Sequence, residues 1–358
     1  MKGLAAILVE LGEPLVLEEL QIPKLTFGQV LVQVLYSGIC GSQVGEIYGV
    51  KGSDKYLPHL LGHEGTGLVL EYGEGVNSVR KDDKVVLHWR KGDGIQSPPP
   101  IYHSNTLGTV NAGWVTTFNQ YAVVSENRIT TVPEDFDSEI AALMGCAITT
   151  GLGVINNNAK LKIGESVVIW GAGGIGLSIV QGAAMVSAYP IIAIDLYDHK
   201  LHIAKAIGAT HTINASKTNP VDEILDIVGV NGADVVIDNT GDVEIIHSAY
   251  EVTSPRGKTI LVGVPRIGEE AKLYTLPLHF DKQITGSHGG EAKPAIDIPN
   301  YIRLYETGRL KLKELITHHY DLYEINAALD GMVNGMISGR CIIDLSGSKL
   351  KDRKLIGI

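Results

Sequence analysis

The chain has 358 residues, room for two domains of ordinary size, and its 44% hydrophobic and 20% charged residues match water-soluble globular proteins. A net charge of −10 excludes a general attraction to nucleic acid or acidic membranes. Three widely spaced cysteines, Cys40, Cys146 and Cys341, exclude a disulfide framework and suit a reducing cytoplasm.

In chain order, the apolar run Leu4–Val9 is followed by Glu10 and Glu13 without a small-residue cleavage site, so it reads as a first strand and not as a signal peptide. Residues 1 to about 147 are β-rich, with strand-like runs at Gln29–Leu35, Thr66–Leu70 and Lys84–Leu87 separated by Gly, Asp and Pro. The stretch 91–113, with three consecutive prolines, reads as an ordered surface loop. From about 148 the texture changes. Buried strands are expected at Ser166–Trp170, Ile191–Asp195, Thr212–Asn214, Ala233–Asp238, Thr259–Gly263 and Gln283–Gly286, with helices at Gly174–Val186 and Lys200–Ile207. Near-continuous apolar strands alternating with helices imply a parallel sheet covered on both faces. A last short strand is expected at Arg340–Leu345. Nowhere do about 18 apolar residues run together, so no membrane span is expected.

Between the first strand and first helix of the second domain lies Gly171-Ala172-Gly173-Gly174-Ile175-Gly176. A lone G-x-G-x-x-G is weak evidence, but here a strand precedes it, a helix follows it, and an acid ends the next strand. Gly171 allows the tight turn, Gly173 lets backbone N–H groups approach a pyrophosphate, and Gly176 permits close helix–strand packing. Asp195 is placed to bind both adenosine ribose hydroxyls and to repel a 2′-phosphate, which selects NAD over NADP.

Cys40, His63 and Cys146 together offer two thiolates and one imidazole, a ligand set of catalytic zinc that leaves one position open. Such a zinc lowers the pKa of a bound alcohol, so that hydride can pass from its carbon to a nicotinamide. Each residue alone is more often structural, and Cys341, inside a terminal strand pattern, is read that way. Glu64 could close the site as a fourth protein ligand, which leaves open a non-catalytic NAD-binding protein with structural zinc.

The pattern G-H-E-x2-G-x5-G-x2-V at 62–76, with C-G-S at 40–42, G-C-A-I-T-T-G at 145–151, G-A-G-G-I-G at 171–176 and the closing segment Leu315–His318, Ile325-Asn326 and Gly339-Arg340, resembles the medium-chain zinc alcohol dehydrogenase family over nearly the whole chain. The resemblance implies a GroES-like β-rich catalytic domain made of residues 1–147 and 288–358, with an inserted Rossmann domain, a doubly wound parallel sheet, at 148–287. It implies Cys40, His63 and Cys146 as zinc ligands, Glu64 as an acid assisting ligand exchange, and Ser42 as the hydroxyl that binds the substrate oxygen and starts proton release. Thr150 and Val262 match positions around the nicotinamide, and His288 contributes there through its backbone. Lys200 matches the lysine near the adenosine ribose, Arg340 the arginine pairing with pyrophosphate, and Trp89 an aromatic wall of the substrate pocket. The activity implied is hydride exchange between NAD and an alcohol or its aldehyde or ketone. A polyol or sugar-derivative dehydrogenase is the alternative on the same scaffold. A homodimer or homotetramer is implied.

The chain also departs from the pattern. Residues 90–120 contain no cysteine, so the four-cysteine structural zinc is not expected and one zinc per subunit is. Gln43 stands where the family has an aspartate beside the zinc ligands, Gly45 where many members have a proton-relay histidine, and Gly41 where a basic residue is frequent. Beyond Ser42 a water chain is the expected proton path, with His59 or Lys51 as substitutes. Arg90 and Lys91 beside Trp89 raise the idea of a polar or anionic substrate, such as a sugar derivative or polyol, against the plainer reading of a solvated charged face.

Overall fold

Alternating apolar residues give the first part of the chain its short strands: β1 (Lys2–Leu8), β2 (Val16–Gln21), β3 (Gln29–Gly38), β4 (His59–Leu60), β5 (Glu64–Tyr72), β6 (Lys84–His88), β7 (Ile101–Ser104), β8 (Gly108–Asn111), β9 (Tyr121–Ser125) and β10 (Ile129–Thr131). Helix α1 (Gly41–Ile47) interrupts them, and α2 (Ser138–Leu143) and α3 (Ala147–Gly153) follow. The near-continuous apolar runs then become β11 (Val167–Trp170), β12 (Ile191–Asp195), β13 (His211–Asn214), β14 (Ala233–Asp238), β15 (Thr253–Leu261) and β16 (Gln283–Gly286), with α4 (Gly174–Met185) after β11. Strands β17 (Ile316–Asp321) and β18 (Arg340–Asp344) come last.

The structure is a computed structural model that describes residues 1–347, and these fall into two units. One comprises Met1–Cys146, Lys293–Arg303 and the segment from Ile316; the other comprises Ala147–Ala292 and Leu304–Leu315. Residues 288–292 and 304–315, assigned from sequence to the last catalytic segment, therefore group with the second unit. Residues 348–358 of that segment lie outside the described residues.

In the first unit β1, β2, β7, β8 and β4 close a barrel, and a second sheet runs β10-β6-β5-β3-β18-β17 with β9 also paired to β3. The inward residues of both sheets form apolar cores, one around Val32, Val69, Leu87, Phe118 and Ile343 and another around Ile7, Leu20, Tyr102 and Val123. The second unit is a six-stranded sheet in the order β13-β12-β11-β14-β15-β16, every pair parallel. Its order reverses beside β11, the arrangement of a doubly wound nucleotide-binding sheet. The fold class read from the sequence is the one observed.

The stretch 91–113 is more structured than its prolines suggested. It contains the β7–β8 hairpin, and Tyr102 on β7 is buried with its hydroxyl accepting the Val123 N–H at 2.7 Å. The preceding turns are held by one buried carboxylate. Glu126 accepts Asn77 N–H at 2.9 Å, Ser78 N–H at 3.1 Å and the Ser78 hydroxyl at 2.9 Å on one oxygen, and Ile95 N–H at 2.8 Å on the other. Burial alone raises its pKa, but those donors outweigh it and hold the carboxyl below its ordinary range. The folded-state pKa is depressed, so this stabilisation is present above the unfolded value and lost as pH falls through the folded one.

Replacing Glu126 by Gln puts an amide donor against backbone donors, and a cost of about 2 kcal/mol is expected. Melting and limited proteolysis check it: Glu126→Gln lowers the melting temperature and opens cleavage near residue 95, whereas an unchanged melting curve and cleavage pattern contradict this role.

Candidate functional site

Antiparallel pairing of β3 with β5 aligns Ser37 with Gly65 and Tyr36 with Thr66. The residue two beyond the end of β3, Cys40, and the residue just before β5, His63, are therefore brought to the same end of the ladder. Cys146 arrives from the turn after α2, where Gly145 lies so close to β5 and β6 that a β-carbon there would run into the Leu87 carbonyl and the Glu64 backbone. Cys40, His63 and Cys146 each offer one ligand atom, all within 4.8 Å of one another. Their sulfurs stand 4.0 Å apart, against roughly 3.8 Å for two thiolates on a tetrahedral zinc with bonds of about 2.3 Å.

The chemistry of the set fits a metal cation. The Cys40 thiol is held well below its ordinary range, first by the hydrogen bond from Cys146 and then, against burial, by His63 and the Arg340 charge. Cys341, buried on β18, is instead pushed up to about 12 by burial, as its structural reading requires. His63 Nε2 is buried without a hydrogen-bond partner, while Nδ1 meets the Gln43 side-chain amide. The Gln43 carbonyl oxygen also accepts the Cys40 N–H at 3.1 Å, so one amide on α1 touches two of the three candidate ligands.

Ser42 is exposed in the first turn of α1. Glu64 opens β5, is fully buried, and pairs with the buried Arg340 guanidinium. Gly38 leaves room for that pair, since a β-carbon there would lie 2.8 Å from the Glu64 carboxyl and 3.0 Å from Arg340. Removing one partner would strand a buried charge, a loss of about 3–5 kcal/mol. The Trp89 ring lies 6.4 Å from the His63 ring at 59°, and the Arg90 guanidinium stacks 5.7 Å over Trp89.

In the second unit the glycine loop joins β11 to α4. Gly171 has φ +89°, a β-carbon at Gly176 would strike the Gly171 carbonyl, and one at Gly173 would meet nothing within 4 Å. The loop thus leaves open space above Gly173 at a helix N-terminus, which suits a phosphate. Asp195 ends β12, accepts the Ala172 N–H of the loop at 2.9 Å and the Tyr197 N–H at 3.2 Å, and has Lys200 Nζ at 3.9 Å. Val262 follows β15 and His288 follows β16, so these residues share the carboxyl ends of one parallel sheet with the loop. Thr150 lies on α3 with its buried hydroxyl unpartnered. Arg340 belongs to the first unit.

Sequence reasoning missed a cavity of about 400 Å³ in the first unit, lined by His63, Gln43, Glu46, Asp54, His59, Trp114 and Thr116 among others. Among the described residues no Lys or Arg lines it, and Arg90, Lys91 and Lys51 are not part of its wall. Its residues come from three separate segments, and no local spacing marks them.

Two family models match the chain: an alcohol dehydrogenase GroES-like domain over residues 26–134 and a zinc-binding dehydrogenase over residues 174–307. Among similar proteins, S-(hydroxymethyl)glutathione dehydrogenase of Synechocystis sp. is 31% identical, across 94% of this chain and 98% of that protein. Alcohol dehydrogenase 1 of Trifolium repens is 30% identical, across 96% of this chain and 97% of its own. Among solved structures, benzyl alcohol dehydrogenase from Acinetobacter calcoaceticus superposes with a TM-score of 0.86 at 29% identity, covering 96% of this chain and 99% of that one.

One histidine beside the candidate site titrates unusually. His88, paired with Glu64 across β5 and β6, donates from Nδ1 to the Arg90 carbonyl at 2.7 Å and accepts the Thr130 hydroxyl at Nε2 at 3.0 Å. Burial pushes its pKa down to about 4. The folded pKa lies below the unfolded value of about 6.5, so the stabilisation is complete above that value and fades as pH falls toward 4. The loss amounts to roughly 3 kcal/mol. In His88→Gln the drop in melting temperature between pH 7 and pH 5 is expected to shrink; an equal drop in both proteins would rule out His88 as a source of acid sensitivity.

Proposed function

The chain belongs to the medium-chain zinc-dependent alcohol dehydrogenase family, and on that footing we propose that Cys40, His63 and Cys146 hold its catalytic zinc while the loop Gly171–Gly176 holds NAD. The enzyme is an NAD-linked zinc oxidoreductase that exchanges a hydride between an alcohol and its carbonyl partner. The observation that carries the assignment of residues is the convergence of three ligand atoms within 4.8 Å around a depressed thiol and an unpartnered imidazole nitrogen. When bound, zinc supplies Lewis acidity and NAD the hydride acceptor.

The remaining roles fall to the chain's own groups. Gln43 orients Cys40 and His63 through one amide. Ser42, two residues beyond Cys40, accepts the proton of the substrate hydroxyl and passes it to water. Glu64, locked to Arg340, places a compensated carboxylate next to His63, and Arg340 acts there as a positioning residue. Trp89, whose ring lies 6.4 Å from that of His63, is the aromatic wall on that side of the metal position, outside the cavity that Trp114 lines. Asp195, fixed by the Ala172 N–H, receives the adenosine ribose and repels a 2′-phosphate, with Lys200 alongside. Thr150, Val262 and the His288 backbone surround the nicotinamide. Ala147–Ala292 with Leu304–Leu315 form the cofactor domain, and Met1–Cys146, Lys293–Arg303 and the segment from Ile316 the catalytic one.

A substrate with a polar far end, as in a polyol or sugar derivative, is favoured over a plain aliphatic alcohol by the carboxylates of Glu46 and Asp54 in the cavity wall. Among the described residues that wall has carboxylates and no Lys or Arg, which disfavours an anionic one. A homodimer or homotetramer is supported by the open edge strand β16 and the exposed Val264, Ile267 and Phe280 of the cofactor unit. A cytoplasmic location suits three free thiols, two of them poised as ligands.

Metal analysis and NADH formation test this reading together. About one zinc per chain is expected in the native protein. Cys40→Ser should lose both the zinc and at least about a thousandfold of kcat/KM, near 4 kcal/mol. Full zinc retention by Cys40→Ser would contradict the ligand assignment. Asp195→Asn is expected to lower the NAD-over-NADP preference about tenfold, and an unchanged preference would remove Asp195 from cofactor selection.

A further inference from the structure

Helix α3 does not stop at Gly153 but widens into a single π turn, Val154–Ala159, which Lys160 ends in the left-handed conformation at φ +52°. Such turns are rare and occur mostly at functional sites. Three asparagines in a row, Asn156 to Asn158, stand in it, a residue type whose side chain competes for backbone groups and weakens helices. Two of them reach the loop that follows β16.

That loop is strained. Gly289, Gly290 and Glu291 have φ of +64°, +65° and +47°, and the last of these carries a side chain. The loop is also pressed against α3: a β-carbon on Gly153 would lie 2.4 Å from the Gly290 carbonyl oxygen, and one on Gly290 2.4 Å from that of Thr150. A backbone held in this form persists only where its surroundings enforce it, and the π turn does so. Asn157 donates to the Gly290 carbonyl at 2.7 Å. Asn158 does more. Its amide oxygen accepts the Ser287 hydroxyl at 2.8 Å, and its amide nitrogen donates to one oxygen of Glu291. The other Glu291 oxygen accepts the His288 N–H at 2.9 Å, and Ser287 accepts the Gly290 N–H at 3.0 Å. A carboxylate can only accept, so the orientation of the amide is forced, and one side chain ties both sides of the loop.

The ring of bonds leaves one donor over. The N–H groups of Ser287, His288, Gly290, Glu291 and Ala292 all have protein acceptors, whereas that of Gly289 has none among the described residues. It lies at the carboxyl end of the parallel sheet, the end at which such sheets bind dinucleotides.

We propose that Asn158 is a positioning residue for the nicotinamide half of NAD: through Ser287 and Glu291 it sets the backbone of His288 and Gly289, and so fixes how tightly that half is held. The proposal rests on the reading that the loop after β16 borders the nicotinamide. Asn158 acts through its two side-chain partners and takes no part in the redox step.

The polarity of the ring supplies the test. Asn158→Asp keeps the size of the side chain but sets a carboxylate against the Glu291 carboxylate. Adding Glu291→Gln mends the contact, because the introduced amide donates to the introduced carboxylate while its oxygen still accepts the His288 N–H. Calorimetry on the zinc-loaded protein compares NADH with ADP-ribose, which lacks only the nicotinamide. In the wild type NADH is expected to bind about tenfold tighter than ADP-ribose. Asn158→Asp should leave ADP-ribose within about twofold of its wild-type affinity and bring NADH down to the same level, and the double variant should restore most of the gap. Equal weakening of both ligands in Asn158→Asp would make the ring a scaffold for the whole unit and overturns the proposal. A gap that persists in the single variant, or fails to return in the double one, also overturns it while leaving the nicotinamide assignment of the loop intact. A wild-type protein that binds ADP-ribose and NADH equally well refutes that assignment, and the proposal with it.

Discussion

The antiparallel ladder between β3 and β5 fixes where chemistry can occur in this protein. It sets the ends of two strands side by side, and from those ends Cys40 and His63 meet. The third ligand comes from a turn that fits only because Gly145 has no side chain to collide with β5 and β6. Two buried thiols grouped this closely beside a half-buried imidazole are poorly solvated as thiolates. A dication is the group that turns this crowding into stability.

The surroundings serve the same grouping. Gln43 ties Cys40 to His63, and the buried Glu64–Arg340 pair occupies the space that Gly38 leaves. Arg340 in turn adds positive charge near Cys40, one of the influences that hold its thiol low. The contrast with Cys341, only one residue from Arg340 and yet pushed up by burial, shows that a neighbouring cation alone does not make a reactive thiol. In the cofactor unit the logic is simpler: strand order reverses beside β11, the glycine loop opens there, and Asp195 is tethered to the loop backbone.

Much of this was legible in the sequence, because the decisive residues carry their neighbours with them. The motifs C-G-S, G-H-E and G-C-A around Cys40, His63 and Cys146 carried the family resemblance, and the strand–glycine–helix–strand–Asp195 run marked a nucleotide-binding sheet. The parallel sheet followed from strand texture and the GroES-like domain from the resemblance, with about half of the strand ends displaced by one to several residues. What stayed hidden depends on contacts distant along the chain. Glu126 gathers donors from residues 77, 78 and 95, and Tyr102 is buried by its hydrogen bond to Val123. The cavity draws on residues 43–63 and 99–116 at once. The prolines at 98–100 suggested a loop, whereas the alternation of Ile101–Ser104 against Gly108–Asn111 forms a hairpin.

X-ray absorption at the zinc edge of the purified enzyme is the most direct measurement of the central claim. Two sulfur ligands at about 2.3 Å, one nitrogen at about 2.0–2.1 Å and one light atom that exchanges when an alcohol is added are the expected result. A closed shell of protein ligands that alcohol does not perturb, or a zinc without sulfur, would contradict an open catalytic site made by Cys40, His63 and Cys146.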